Sequence, residues 1–116
     1  MIAKRQAKLV SAVNQVQAEI AQWRSRVSQW HPAPPPLETA GYLVTEAAEA
    51  LDAVLRRQRP SDDRTNSHDS KDGLDKEIAQ VLDMALTLAN LYEINVGQAL
   101  AEWLQEVETR CPDELG

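Results

Sequence analysis

Leu9, Val13, Val16, Ile20, Trp23, Val27 and Trp30 follow one another at alternating steps of four and three. That spacing predicts a helix with a narrow apolar seam, packed almost parallel to a partner helix. No Gly or Pro interrupts the chain from Ala3 to about Gln29, so one long first helix within residues 1–30 is expected. Lys8, Asn14, Gln17, Glu19, Arg24 and Arg26 fill its other faces. Trp23 and Trp30 read either as large knobs in the seam or as a platform on which a nucleobase stacks. The run His31-Pro32-Ala33-Pro34-Pro35-Pro36 then stops the helix and predicts a stiff connector over residues 31–37.

A second helix is predicted from Leu37 or Glu38 to Arg57, with Leu43, Ala47, Leu51 and Val54 as its apolar arc. Glu46, Glu49 and Asp52 step around one edge of that arc, three residues apart, which makes them neighbours on a helix surface. Arg56 and Arg57 read as favourable charge at the negative helix end, while Arg59 and Arg64 are candidates for a phosphate clamp. From Pro60 to Lys71 there is no apolar residue, which predicts a mobile polar loop over 60–71.

Gly73 to Tyr92 carries a broad apolar set (Leu74, Ile78, Val81, Leu82, Ala85, Leu88, Ala89), as in a third helix buried on more than one side. Ser70 or Asp72 is placed to cap it. Beside the apolar set runs a polar stripe of Glu77, Gln80, Asp83 and Thr87, with Asn90 just off its edge. After a short turn at Glu93-Ile94-Asn95, the pair Asn95 and Gln98 resembles a capping box opening a fourth helix, Val96 to Arg110. Pro112 ends it, leaving a frayed tail over 111–116. Four helices and no strand signal predict a single all-α domain, a helical bundle. The length of the first seam predicts that further copies of the chain complete the core.

Composition narrows the partners more than the fold. With 116 residues and a net charge of -6, the chain is ordinary in size for one domain and acidic. An acidic balance argues against nucleic-acid backbone binding, whose footprint is basic. It leaves a nucleotide site open, because a divalent cation brings phosphates to carboxylates. One cysteine, Cys111, allows no internal disulfide. No apolar run approaches the roughly 20 residues of a membrane span, and no signal segment opens the chain, so a cytoplasmic protein is the expectation.

The chemistry-bearing residues lie on the second and third helices. If those helices pack antiparallel, Glu46, Glu49 and Glu77 converge, with Asp52 and Asp83 within one turn. Such an oxygen-rich group suits Mg²⁺, which keeps several waters and is usually completed by substrate phosphates. Acid pairs at this spacing are also common on solvated helices, and charge networks imitate sites.

The segments Trp30-His31-Pro32, Leu43-Val44-Thr45-Glu46-Ala47-Ala48-Glu49-Ala50, Lys76-Glu77-Ile78-Ala79-Gln80-Val81-Leu82, Leu88 to Val96 and Arg110-Cys111-Pro112 add a resemblance. In order, spacing and flanking apolar positions they resemble the MazG-like branch of the all-α nucleoside triphosphate pyrophosphohydrolases. That family carries a Glu-Glu-x-x-Glu helix and, after a variable loop, a Glu-x-x-Asp helix. The resemblance implies a Mg²⁺-dependent enzyme that converts nucleoside triphosphates to the monophosphate and pyrophosphate, working as a homodimer or homotetramer. It assigns catalysis and metal binding to Glu46, Glu49 and Glu77, with Gln80 and Asp83 as further metal contacts. Trp23, Trp30, Arg59 and Arg110 are the candidate substrate contacts. Two positions depart from the pattern: Thr45 stands at its leading Glu, and Gln80 at the acid of the second motif. Trp103 and Val107 stand where relatives often place a Lys and an Asn against the phosphates. A helical module that kept the scaffold without turnover is the alternative reading.

Overall fold

The computed structural model describes residues 4–30, 32, 34–58 and 71–111, and among these every regular element is an α-helix. In chain order they are α1 (Lys4–Val27), α2 (Pro36–Arg57), α3 (Lys71–Leu91) and α4 (Val96–Arg110). The all-α architecture expected from periodicity is what forms. His31, Arg59, the expected loop up to residue 70 and the tail from residue 112 lie outside the described residues.

The helix boundaries correct the expected ones by a residue or two, for local reasons. The connector expected over 31–37 ends earlier, because α2 starts at Pro36. A proline fits the first helical position, where its missing N–H has no partner to lose. Pro35, before it, caps nothing with its side chain. Instead the wholly buried Thr39 donates its Oγ1 hydrogen to the carbonyls of Pro34 and Pro35, at 2.9 and 3.0 Å, and ties the first turn to the connector. At the far side of the polar loop, Lys71 is already helical, so Asp72 stands inside α3 rather than capping it.

The structure divides into two compact units, one of residues 1–32 with 89–116 and one of residues 33–88. In the first unit α1 packs on α4. Gly97 and Ala101, one turn apart and both buried, let the backbones approach closely. The Gly97 N–H donates to Asn14 Oδ1 at 3.2 Å.

The covered face of α1 takes in only part of its apolar seam: Leu9, Val13, Ile20 and Val27 are half-buried. Gln6 and Gln17 are buried, whereas Val16, Trp23 and Trp30 are exposed, Trp30 by 67%. The turn between α3 and α4 explains the difference. Glu93 adopts a left-handed φ of 55°, Ile94 N–H donates to Ala89 O at 2.9 Å, and Glu93 N–H donates to Asn90 O at 3.2 Å. This is a Schellman termination with Glu in the place usually held by Gly. It leaves backbone groups that a buried apolar side chain would strand. Gln17 answers them: its Nε2 donates to Ile94 O at 2.6 Å and to Asn90 Oδ1 at 3.0 Å, and its Oε1 accepts from Val96 N–H at 3.2 Å. Asn90 Nδ2 in turn donates to the Gln17 carbonyl at 3.2 Å.

The expected capping box forms by half. Asn95 Oδ1 accepts from Gln98 N–H at 2.9 Å, but the Gln98 side chain turns forward to Glu102 at 3.0 Å instead of back to Asn95.

The second unit holds α2 and α3 as far as Leu88. Ala53 is buried on α2, Leu86 and Thr87 on α3. The apolar arc expected to be core on α2 is largely uncovered in the single chain: Leu51 and Val54 are exposed, as are Leu37 (87%), Val44 and Leu55. At about 100° per residue, Leu37, Val44, Leu51 and Leu55 form one stripe, opposite the line of Glu46, Glu49, Ala53 and Arg56.

Candidate functional site

Glu46 and Glu49 share one edge of α2 because they are three residues apart in an uninterrupted helix. Glu77 comes from the second turn of α3. One carboxylate oxygen from each of the three lies within 4.8 Å of the other two, the three-acid group found among the described residues. Glu46 and Glu77 are half-buried and Glu49 is exposed.

Three negative charges this close repel, and the ionisation of the group records it. Glu46 is held above its ordinary 4.5 first by burial and then by the charge and hydrogen-bonding reach of Glu49, with a smaller push from Glu77. Glu77 is raised likewise, first by burial and then by Glu49, while the Arg56 guanidinium pulls it down. Glu77 Oε2 is buried without a hydrogen-bond partner among the described residues. A covered acceptor without a donor is unfavourable, and more so when it is charged. A hard divalent cation with oxygen preference would supply the missing partner and cancel the repulsion, so the donor set fits Mg²⁺.

The remaining predicted site residues are placed as follows. Thr45, at the leading acid of the family pattern, is exposed and donates to its own helix backbone at Gly41 O, 3.1 Å. Gln80 is exposed on α3. Asp83 does not join the three-acid group. Its half-buried carboxylate accepts from the buried Thr87 hydroxyl at 3.1 Å. Trp23, Trp30 and Arg110 belong to the first unit. The Trp23 ring carries the Arg24 guanidinium 4.9 Å from its centroid. Arg110 pairs with Glu106 at 3.4 Å and lies 5.2 Å from the Trp103 centroid. Arg59 is outside the described residues.

Arg56 was read from sequence as helix-end charge, and the structure gives it a second role. Its guanidinium contacts Asp52 one turn earlier, and its Nε is buried. The signal was available in the spacing: Glu46, Glu49, Ala53 and Arg56 advance by three, four and three, one continuous helix edge.

The first unit holds an open groove of about 280 Å³ lined by Asn14, Gln17, Ala18, Asn90, Glu93, Ile94 and Asn95. Gln17, Asn90 and Asn95 spend their amides on the turn described above, which marks the groove as architecture.

An all-helical chain that gathers three carboxylates from two helices defines a class, helical proteins organised around an acidic, cation-competent site. Within it this chain belongs to the MazG nucleotide pyrophosphohydrolase family: the model of the MazG nucleotide pyrophosphohydrolase domain matches residues 35–115, well over half its length. No curated protein and no solved structure matches the chain. Among the described residues no helix is long and apolar enough to cross a membrane.

Proposed function

We propose that the chain is a Mg²⁺-dependent nucleoside triphosphate pyrophosphohydrolase, releasing the monophosphate and pyrophosphate. The observation that carries the reading is the meeting of Glu46, Glu49 and Glu77 around a buried, unpartnered carboxylate oxygen, on a chain of the MazG family. Glu46, Glu49 and Glu77 would hold the cation, with Gln80 and Asp83 as outer oxygen donors. When bound, the cation supplies Lewis acidity at a phosphoryl oxygen and lowers the pKa of water. The protein's own contribution is to fix the acids on two rigid helices and keep their repulsion in store until metal arrives. Glu46 is the residue of the trio assigned here to accept the proton of the attacking water. Trp23, Trp30, Arg59 and Arg110 are assigned to the substrate.

A second copy belongs to this reading. The exposed stripe of Leu37, Val44, Leu51 and Leu55 lies opposite the acids on α2. Such a contiguous apolar face supports pairing with a second copy in a homodimer or homotetramer.

Gln80 favours a second reading, a nucleotide-binding module without turnover. It leaves the second family motif one negative charge short. The experiment is pyrophosphate release from a panel of nucleoside triphosphates with Mg²⁺, on the wild type, Glu49→Gln and Gln80→Asp. The enzyme reading expects release that Glu49→Gln abolishes. Release only in Gln80→Asp establishes the module, and release that survives Glu49→Gln overturns the assignment.

A further inference from the structure

The acid group has a cation beside it that the family pattern does not assign. Arg56 continues the helix edge of Glu46 and Glu49, separated from them by the buried Ala53. Helix side chains lean toward the N-terminus, so Arg56 reaches back along this edge toward the acids. Its contact with Asp52, one turn earlier, shows that lean directly. The result is a half-buried guanidinium with a buried Nε, in contact with Asp52. Glu77, on the other helix, belongs to the same compact unit.

Helix-end charge does not require this arrangement. An arginine serving the α2 terminus would extend toward the last carbonyls and solvent. Nor does the arrangement serve cation binding, because a fixed positive charge beside a carboxylate weakens its hold on Mg²⁺. It does suit an anion that arrives with the cation. A triphosphate brings more negative charge than one divalent ion cancels, and guanidinium offers five donors in a fork matched to phosphate oxygens.

We propose that Arg56, braced by Asp52, is the residue of this chain that binds and orients the polyphosphate of the substrate at the Glu46–Glu49–Glu77 site. The inference rests on the pyrophosphohydrolase reading and adds a substrate contact to it. Asp52 acts as a positioning residue: it fixes the rotamer of Arg56, so that the fork is set before the phosphate arrives.

The test separates the metal from the phosphate. Mg²⁺ binding alone is measured by calorimetry on the wild type, Arg56→Ala and Arg56→Lys, followed by KM and kcat for a nucleoside triphosphate in saturating Mg²⁺. Arg56→Ala is expected to bind Mg²⁺ alone as tightly as the wild type or more tightly. Its KM should nevertheless rise about ten- to a hundredfold, the loss expected for charge-assisted hydrogen bonds. Arg56→Lys, which keeps the charge but not the fork, should recover part of that loss, and it carries the test should Arg56→Ala misfold. Asp52→Asn should raise KM in the same direction by less.

Parallel weakening of Mg²⁺ and triphosphate would make Arg56 structural and overturn the proposal. Tighter Mg²⁺ with unchanged KM would reduce it to an electrostatic neighbour of Glu77, which also overturns it. A wild type that binds Mg²⁺ but neither binds nor turns over any triphosphate would remove the enzyme reading first, and this inference with it.

Discussion

Gly97 offers the sharpest test of how α1 and α4 meet. A Cβ added there would stand 2.5 Å from both the Val10 carbonyl oxygen and Asn14 Oδ1, and 3.0 Å from Val10 Cα. Two of these three atoms are backbone, so α1 itself has to move. Overpacking of this kind costs about 1–3 kcal/mol. The Gly97 N–H to Asn14 bond is strained in the same step. Against this, Ala gains up to about 1 kcal/mol over Gly inside a helix. Gly97→Ala should therefore destabilise the protein by about 1–2 kcal/mol. Gly41, on α2, is the matched control, because a Cβ there meets nothing within 4 Å. Gly41→Ala should stabilise by up to about 1 kcal/mol from propensity alone. Urea unfolding of the two variants at equal concentration reads both signs. Equal stabilisation by the two alanines would refute the close approach of α1 and α4.

Two further outcomes follow from local geometry and charge. Glu93 pays for a left-handed φ of 55° that glycine adopts freely, so Glu93→Gly should stabilise by roughly 0.5–1 kcal/mol, visible as a higher melting temperature. Glu46 and Glu77 are held above 4.5, so the stability they contribute is fully present below that value and fades as pH rises through their folded pKa values. Glu49→Gln removes the second cause of both shifts and leaves burial in place. The metal-free variant should gain stability over the wild type at pH 7 and little or none at pH 4, measured as urea midpoints at each pH. An equal gain at both pH values would mean that repulsion within the trio is not the cause.

Which parts of this structure could be read from sequence depended on what the signal measures. Apolar periodicity reports helices well, and all four formed close to where Leu, Val, Ile and Ala recur. The spacing of Glu46 and Glu49 anticipated their shared edge, because a regular helix fixes where such side chains point, whereas the approach of Glu77 was expected only if the two helices pack antiparallel.

Periodicity was half right on α1: Leu9, Val13, Ile20 and Val27 of the seam are half-buried, but Val16 and Trp23, and Trp30 beyond the helix, are exposed while Gln6 and Gln17 are buried. The partners of Gln17 are backbone groups of a distant turn, at Ile94 and Val96, and no hydrophobic pattern registers them. It failed on α2 for a different reason. Leu51 and Val54 are apolar as a core face should be, yet both are exposed in the single chain, and apolar periodicity does not register whether an apolar face is covered. Arg56 stands in the last turn of α2, where its charge suits the helix end as read from sequence; its contact with Asp52 is the part that spacing alone did not single out. Its lean toward Asp52 is a matter of rotamer.

The central claim is that Glu46, Glu49 and Glu77 form one divalent-cation site. Mn²⁺, whose paramagnetism reports binding directly, can stand in for Mg²⁺ in a titration of wild type, Glu49→Gln and Glu77→Gln, with helicity checked in each. The account predicts one Mn²⁺ per chain in the wild type, competed away by Mg²⁺, and its loss in both variants with the fold retained. Undiminished Mn²⁺ binding in either variant would contradict it.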